Sequence, residues 1–349
     1  MGLPVIILTG PFLPDLFISI IALIFLSITF FDKNWKYLFN SFSIYFLSLS
    51  LILILISLLS DFVFLSLESS FFYFRFYFFS LAIWFLIDEN PNLSKRFTIV
   101  LFSIFLIAIF NGYYQYFNGY NLFGIVSSSH NRLTLLFHEK LYLGGYISRL
   151  FPLLVGLLIL HYSHTTHRKI SILITFILLI LIDILIFISG ERTALGLLVI
   201  TTTAFIVMLS NFRVIRIFAV FTSFIVILII SFNFPDIKER NINHTLRQLG
   251  VTTDQYSPRH APMYKSAWTI YKDNKYIGTG PKTYREFCKK DEYNFGKYTC
   301  STHPHNTYLQ IMAETGTLGL LFFIVAMVYV GYFNHLMMRS EERFRGMPR

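Results

Sequence analysis

The sequence predicts an all-α membrane protein: a polytopic bundle of about nine membrane-spanning helices, with one long extracytoplasmic loop between the last two spans. Of its 349 residues, 55% are hydrophobic and only 14% are charged. The mean hydropathy is +0.60. A helix needs roughly 20 mostly apolar residues to cross a bilayer, and the chain contains many such runs. Runs such as "LSLSLILILISLLS" lack the alternation of polar and apolar residues that is typical of membrane β-barrels.

The apolar runs define the predicted spans and the division of the chain. The first run contains Pro4, Pro11 and Pro14, so we expect a kink or a partly re-entrant course there. We predict a transmembrane bundle over 1–233, a periplasmic loop region with short helices over 234–305, and a final helix with a cytoplasmic tail over 306–349. The spans are predicted at about 5–31, 38–60, 70–87, 97–113, 143–161, 170–189, 193–211, 215–233 and 306–334.

Basic residues predict the orientation in the membrane. Pairs of them follow the first, third, fifth and seventh spans, which places all four pairs on one side. By the positive-inside rule that side is cytoplasmic. Segment 234–305 then lies outside, and its basic character is no objection because loops longer than about 60 residues cross largely regardless of charge. The pairs are Lys33 and Lys36, Lys95 and Arg96, Arg168 and Lys169, and Arg213 and Arg216.

The net charge of +10 does not indicate nucleic-acid binding. Basic residues cluster beside the spans, where topology and lipid head groups favour them, and no recognition motif is visible. The Gly-x-Gly of "IGTGPKTY" lacks a third glycine and a preceding strand, which excludes a dinucleotide site. We therefore predict the lipid bilayer as a partner, no nucleic acid and no cofactor.

The two cysteines of the chain, Cys288 and Cys300, both lie in the predicted outer segment. An oxidising compartment permits a disulfide between them, and the alternative is a pair of unpaired thiols. With His303 and His305 they could instead form a metal site, but the spacing fits no zinc pattern well. We predict the disulfide and no metal.

The stretch "THPHN", residues 302–306, stands where the last span begins on the outer side. His305 lies at the amino end of that helix, where the positive partial charge disfavours the imidazolium. A neutral histidine beside an anion site is a candidate general base. The plainer interpretation is a capping or interfacial histidine.

The helix that follows favours the functional interpretation. Asn306, Gln310 and Glu314 share one helix face, and ionisable groups at such depth usually face a bundle interior or a water-filled cavity. Gly316 and Gly319 are expected to let a neighbouring helix approach closely. The last span is therefore predicted to line an outward-open polar cavity.

Three arginines are candidate anion ligands. Arg192 lies at the outer end of the seventh span, and Arg259 begins a short helix of the loop region. A guanidinium gives bidentate contacts to phosphate. The alternatives are a snorkelling or Glu191-paired Arg192 and a solvated Arg259. Arg75 lies inside an aromatic run of the third span, where it needs a partner such as Glu68, Asp61 or a ligand phosphate.

Four stretches together resemble the O-antigen ligase and polymerase superfamily, bacterial envelope glycosyltransferases of the C type. They are "SGERTALG", "PRHAPMYKSAW", "IGTGPKTY" and "CSTHPHNTYLQIMAETGTLGL". The similarity covers residues 180 to 325. Ligases of the family commonly have about twelve spans, so the nine predicted here are a departure.

The resemblance implies an enzyme of the bacterial inner membrane whose site faces the periplasm. It implies a glycan donor carried on undecaprenyl pyrophosphate and, for a ligase, lipid A–core as acceptor; a polymerase would use another carrier-linked repeat. Arg192, Arg259 and His305 match the family's catalytic positions, with the arginines on the pyrophosphate and the histidine assisting the acceptor hydroxyl. We add His303, Asn306, Gln310, Glu314 and Arg75 as candidate substrate-binding residues. The alternative of another class is a transporter or flippase for an anionic lipid or solute.

Overall fold

All the regular elements of the computed structural model are helical in the residues that it describes, which are 2–10, 12–126, 132–134, 142–162, 168–233, 239–243, 246 and 260–345. Short 3-10 turns cover Ile7–Thr9, Trp35–Tyr37 and Asp291–Tyr293, and Glu239–Asn243 is a π-helical turn. The helices are α1 (Leu3–Ile6), α2 (Phe12–Phe31), α3 (Ser41–Leu58), α4 (Val63–Phe72), α5 (Phe74–Glu89), α6 (Leu93–Asn118), α7 (Leu143–Tyr162), α8 (Arg168–Ser189), α9 (Arg192–Met208), α10 (Ser210–Asn233), α11 (Ala261–Asp273), α12 (Tyr284–Phe287) and α13 (Thr307–Arg345).

The predicted fold class is confirmed. Among the described residues, eight helical stretches are long and apolar enough to cross a membrane, with Val63–Glu89 taken as one stretch. The ninth predicted span corresponds to α9, which is apolar but shorter. The first predicted span is divided as its prolines indicate: α1 and a 3-10 turn end at Gly10, whose φ of 110° only glycine adopts easily, and α2 follows.

The chain forms two compact units, and each draws on two separate stretches. The first unit holds residues 1–21 and 83–254, and the second holds residues 22–82 and 255–349. The apolar core of the first unit is built mainly from α6, α7 and α8, with Phe105, Phe151, Leu179 and Leu185 fully buried.

A buried ion pair lies inside the first unit. Arg216 of α10 donates from Nη1 and Nη2 to the two carboxylate oxygens of Asp183 on α8, at 2.8 and 2.9 Å. The Ser223 hydroxyl donates to the same carboxylate, and Arg216 is 0% exposed. The use of Arg216 as a surface marker of orientation was therefore wrong. Its charge is neutralised within the bundle, and in that pair of basic residues only Arg213 is exposed.

In the second unit the loop "IGTGPKTY" fills a break in α13. The backbone of Gly316 is not helical, so Thr317 and Leu318 cannot donate to the carbonyls four residues before them. They donate instead to the carbonyls of Lys275 and Tyr276, at 2.8 and 3.1 Å. The carbonyls left over on α13 accept hydrogen bonds from backbone amides of the loop.

Those acceptors are Ala313, which takes the amide of Thr279 at 3.1 Å, and Glu314, which takes the amide of Gly280 at 2.8 Å. A Cβ atom on Gly316 would stand 2.4 Å from the backbone of Tyr276. Gly316 therefore admits a loop, and the prediction of a neighbouring helix was wrong. A Cβ atom on Gly319 would meet the Thr315 side chain of its own helix.

Candidate functional site

The segment that carries the candidate histidines is fastened at both ends within the second unit. Cys288, at the end of α12, forms a disulfide with Cys300. Asn306 stands just before α13 and its Oδ1 accepts a hydrogen bond from the amide of Leu309 at 3.1 Å, which is the geometry of an N-cap. The five residues between these anchors are thereby held at the amino end of α13.

The buried Tyr284 of α12 also fixes the chain next to the disulfide. Its hydroxyl donates to the carbonyl of Thr299 at 2.8 Å, one residue before Cys300. Burial raises the pKa of Tyr284 to about 12, so the hydroxyl remains a donor over the whole physiological range. The apolar cluster around it contains Ala267, Ile270, Phe287 and Ala313, which joins α11, α12 and α13.

The histidines form a cluster of three. The rings of His303 and His305 have centroids 4.3 Å apart, and the ring of His260 lies edge-on to His305 at 5.6 Å. His305 has a φ of 54°, a conformation uncommon for a residue with a side chain. Both His303 and His305 are exposed, so a substrate hydroxyl can reach either ring. The structure brings the two predicted histidines together and adds His260, which the sequence did not single out.

The surroundings of His303 favour its neutral form. Burial lowers the pKa of His303, and the nearby charges of His305 and Arg285 lower it further. Its Nδ1 lies 3.0 Å from the Thr302 hydroxyl. A neutral imidazole with an accessible ring nitrogen can accept a proton from a hydroxyl that reacts, which is what a general base requires.

Glu314 does not face an open cavity as we expected; it is 5% exposed. Its carboxylate accepts the amide of Tyr284 at 3.1 Å and the Nε2 donor of Gln310 at 3.1 Å. The polar stripe of α13 therefore exists, but its deepest member binds the loop that contains α12. In the structure Asn306 caps α13 and Gln310 donates a hydrogen bond to Glu314. Glu314 in turn accepts a hydrogen bond from the loop that contains α12.

Arg285 of α12 is a cation that sequence reasoning missed. Its charge acts on both His303 and Glu314, and its Nε is buried with no hydrogen-bond partner among the described residues. The signal was present, because Arg285 directly follows the "IGTGPKTY" stretch and precedes Cys288 by three residues. Its position becomes apparent only when the loop is folded against α13.

Arg75 contacts neither acidic partner that was expected for it. Its Nη1 donates to the carbonyl of Phe72 at 2.9 Å, and its guanidinium lies over the ring of Phe76 at 4.6 Å. Glu68 pairs instead with Lys282 at 3.1 Å, and Asp61 with Lys290 at 3.2 Å. Asp61 lies in the turn before α4, and Glu68 lies in α4 itself. The two ion pairs therefore join this part of the second unit to its loop region.

Arg192 belongs to the first unit, where it opens α9 and is exposed. The preceding Glu191 accepts the backbone amides of Gly144 and Gly145, at 2.7 and 2.9 Å, so the turn between α8 and α9 is joined to the first turn of α7. Burial raises the pKa of the Glu191 carboxyl, while those amides and the charges of Arg132 and Arg149 oppose the rise.

One predicted site residue, Arg259, lies outside the described residues; it directly precedes His260 in the chain. Within the described part of the chain, no group of three or more histidine, cysteine or acidic side chains is arranged to hold a metal ion.

Residues 174–324 match a protein-family model described as O-antigen ligase. This segment contains Arg192, the loop region and the whole histidine cluster. No curated protein and no solved structure matches the chain.

Proposed function

We propose that this chain, whose residues 174–324 match the family model described as O-antigen ligase, transfers a glycan from undecaprenyl pyrophosphate to lipid A–core on the periplasmic side of the inner membrane. The observation that carries the proposal is the exposed pair His303 and His305, anchored at the amino end of α13 by the disulfide and the Asn306 cap. The pair supplies an accessible base within the matched segment.

The proposed reaction is an inverting, metal-independent transfer. The acceptor hydroxyl attacks the anomeric carbon of the donor sugar, and its proton passes to the histidine base. The bond between the anomeric carbon and the phosphate oxygen breaks, and the carrier pyrophosphate leaves with the electron pair. Guanidinium groups, of which Arg192 and Arg259 are our candidates, stabilise the negative charge that develops on that oxygen.

Both exposed histidines are candidates for the base. His303 has the lowered pKa and the hydroxyl neighbour, whereas His305 lies between His303 and His260. We propose that the pair acts together, with one ring accepting the proton and the other orienting the acceptor hydroxyl. Gln310 and Glu314 then act as positioning residues for the segment rather than as direct ligands.

A deletion strain tests the function. It is complemented with wild type, His305→Ala, Arg192→Ala or the control Arg213→Ala, and lipopolysaccharide is resolved by gel with a check that each protein reaches the membrane. Arg213 is an exposed arginine of the first unit that donates to carbonyls at the end of α9, so its loss should leave transfer unchanged.

Three outcomes are informative. Long glycan that stays unattached to lipid A–core in the deletion and in both site variants supports a ligase. Attachment of single repeats only supports the polymerase alternative. If both site variants reach the membrane and restore wild-type lipopolysaccharide, the site assignment is wrong and a transporter for an anionic lipid becomes the better hypothesis.

A further inference from the structure

Arg149 of α7 occupies an unusual place for a charged side chain. It lies six residues after Leu143, the first residue of the helix, which corresponds to about 9 Å along the axis. This part of α7 belongs to a candidate membrane span, yet the side chain is exposed. Because an arginine facing hydrocarbon is costly, an exposed one at this depth indicates a polar cleft.

The side chain turns back toward the start of its helix. Its Nη1 donates to the carbonyl of Gly145 at 3.0 Å. A Cβ atom on Gly145 would stand 2.7 Å from this Nη1 and 3.0 Å from Oε2 of Glu191, so the guanidinium and the carboxylate are neighbours across the bare Gly145 backbone. A side chain at position 145 would separate them.

Glu191 is an electrostatic neighbour of Arg149: the Arg149 charge acts on its carboxylate, which is itself fixed by other groups. Both of its carboxylate oxygens already accept backbone amides of α7. A guanidinium has five N–H donors, so beyond the bond to Gly145 the Arg149 side chain keeps donors for a ligand. Arg192 follows Glu191 directly in the chain, and both Arg149 and Arg192 are exposed.

We propose that Arg149 is a further pyrophosphate-binding residue, acting with Arg192 on the carrier, and that Glu191 is its positioning residue; this rests on the proposed function. One guanidinium that neighbours Glu191 in space and one that follows it in the chain suit a ligand with two linked phosphoryl groups. Each makes short, charge-assisted hydrogen bonds to phosphate oxygens. A polyprenyl monophosphate engages one guanidinium, and a pyrophosphate engages both.

Binding of lipid ligands to the full chain in nanodiscs tests this inference. The probes are a polyprenyl pyrophosphate and the polyprenyl monophosphate of the same chain length. Arg149→Ala should weaken binding of the pyrophosphate by about 10-fold or more and binding of the monophosphate much less. Arg149→Lys, which keeps the charge but loses the planar fork, should fall between Arg149→Ala and wild type.

Arg213→Ala is the matched control, since it removes an exposed arginine of the same unit and should bind both lipids as wild type does. If Arg149→Ala does not fold, Arg149→Lys and Arg149→Gln decide the matter. Unchanged preference for the pyrophosphate in a folded Arg149 variant overturns the inference.

The outcomes separate this inference from the proposed function. If Arg192→Ala loses binding and Arg149→Ala does not, only the role of Arg149 is wrong. If binding depends on Arg149 but no glycan is transferred in cells, the proposed function fails and the binding site stands. If wild type shows no preference for pyrophosphate over monophosphate, this inference is overturned, and the proposed function is decided by glycan transfer in cells.

Discussion

At the scale of single residues, the arginines of this chain divide by what surrounds them. Arg216 is fully buried and bound at both terminal nitrogens by Asp183, whereas Arg149 and Arg192 are exposed beside one anchored turn. A buried charge with a bidentate partner serves the fold, whereas we propose that the two exposed charges serve a ligand. Residue type alone does not separate the two roles.

Loss of either partner in the buried pair should destabilise the protein strongly. Arg216→Met leaves the Asp183 carboxylate without its guanidinium, and we expect a loss of about 3–5 kcal/mol. Thermal unfolding of the detergent-purified protein measures it, with Arg213→Met as the exposed control. The double variant Arg216→Met with Asp183→Leu should recover much of the loss, and failure to recover any of it would contradict this role of the pair.

The pH dependence of activity should report on Arg285. A base works when neutral, and because the folded pKa of His303 lies below its ordinary value of 6.5, the acid limb of the profile should also lie below that value. Arg285→Gln removes one of the charges that lower this pKa, so the limb should move to higher pH. The measurement is transfer rate against pH in membranes. A rate that falls equally at all pH values would indicate a structural defect only.

At the scale of elements, glycines decide where segments meet. Gly278 and Gly316 let the loop enter the break in α13, and Gly144 and Gly145 let the turn before Arg192 contact the start of α7. Each junction gives hydrogen-bond partners to backbone groups that the break in α13 or the start of α7 would otherwise leave unpaired. The two sequence stretches "IGTGPKTY" and "ETGTLG" are thus the two sides of one contact.

A methyl group at this junction should prevent it. Gly316 has a φ of 64°, and a Cβ atom there or on Gly278 would lie 2.4 Å from opposing backbone. With a ψ of −164°, the backbone of Gly316 lies in a region that essentially only glycine adopts, which costs roughly 1–3 kcal/mol for an alanine, and the clash adds to it. Gly316→Ala and Gly278→Ala should therefore lower the melting temperature and the yield of folded protein.

Gly331→Ala is the control for both variants, because Gly331 lies in the same helix and a Cβ atom added to it would meet no heavy atom within 4 Å. Helix propensity favours alanine there, so the stability of this variant should equal or exceed that of wild type. Equal melting temperatures for all three variants would show that the junction between the loop and α13 contributes nothing to stability.

At the scale of the whole molecule, the orientation in the membrane remains a prediction. It depends on the basic residues of short connections, and it places the disulfide outside. Within the second unit, the loop region is joined by Lys282 and Lys290 to Glu68 and Asp61, which lie between the second and third predicted spans and hence on the predicted outer side. These contacts agree with the predicted topology.

Thiol labelling of spheroplasts measures the orientation. Cys300, the exposed partner of the disulfide, should react with a membrane-impermeant maleimide only after treatment with an impermeant reductant. In a variant without these cysteines, Lys36→Cys should react only after permeabilisation, because Lys36 follows the first span. Labelling of Lys36→Cys in intact spheroplasts, or protection of the reduced pair until permeabilisation, would reverse the topology.

Composition and hydropathy were sufficient for the fold class, since a bilayer imposes span length and apolar content on each helix independently of its neighbours. The histidine pair, the disulfide partners and the candidacy of Arg192 also came from local stretches. The sequence did not reveal that Glu314 faces a loop, that Arg216 pairs with Asp183, or that Arg285 and Arg149 stand beside the candidate groups. Those facts depend on contacts between segments far apart in the chain, where burial and backbone hydrogen bonds decide a side chain's surroundings, and only the tertiary structure brings these segments together.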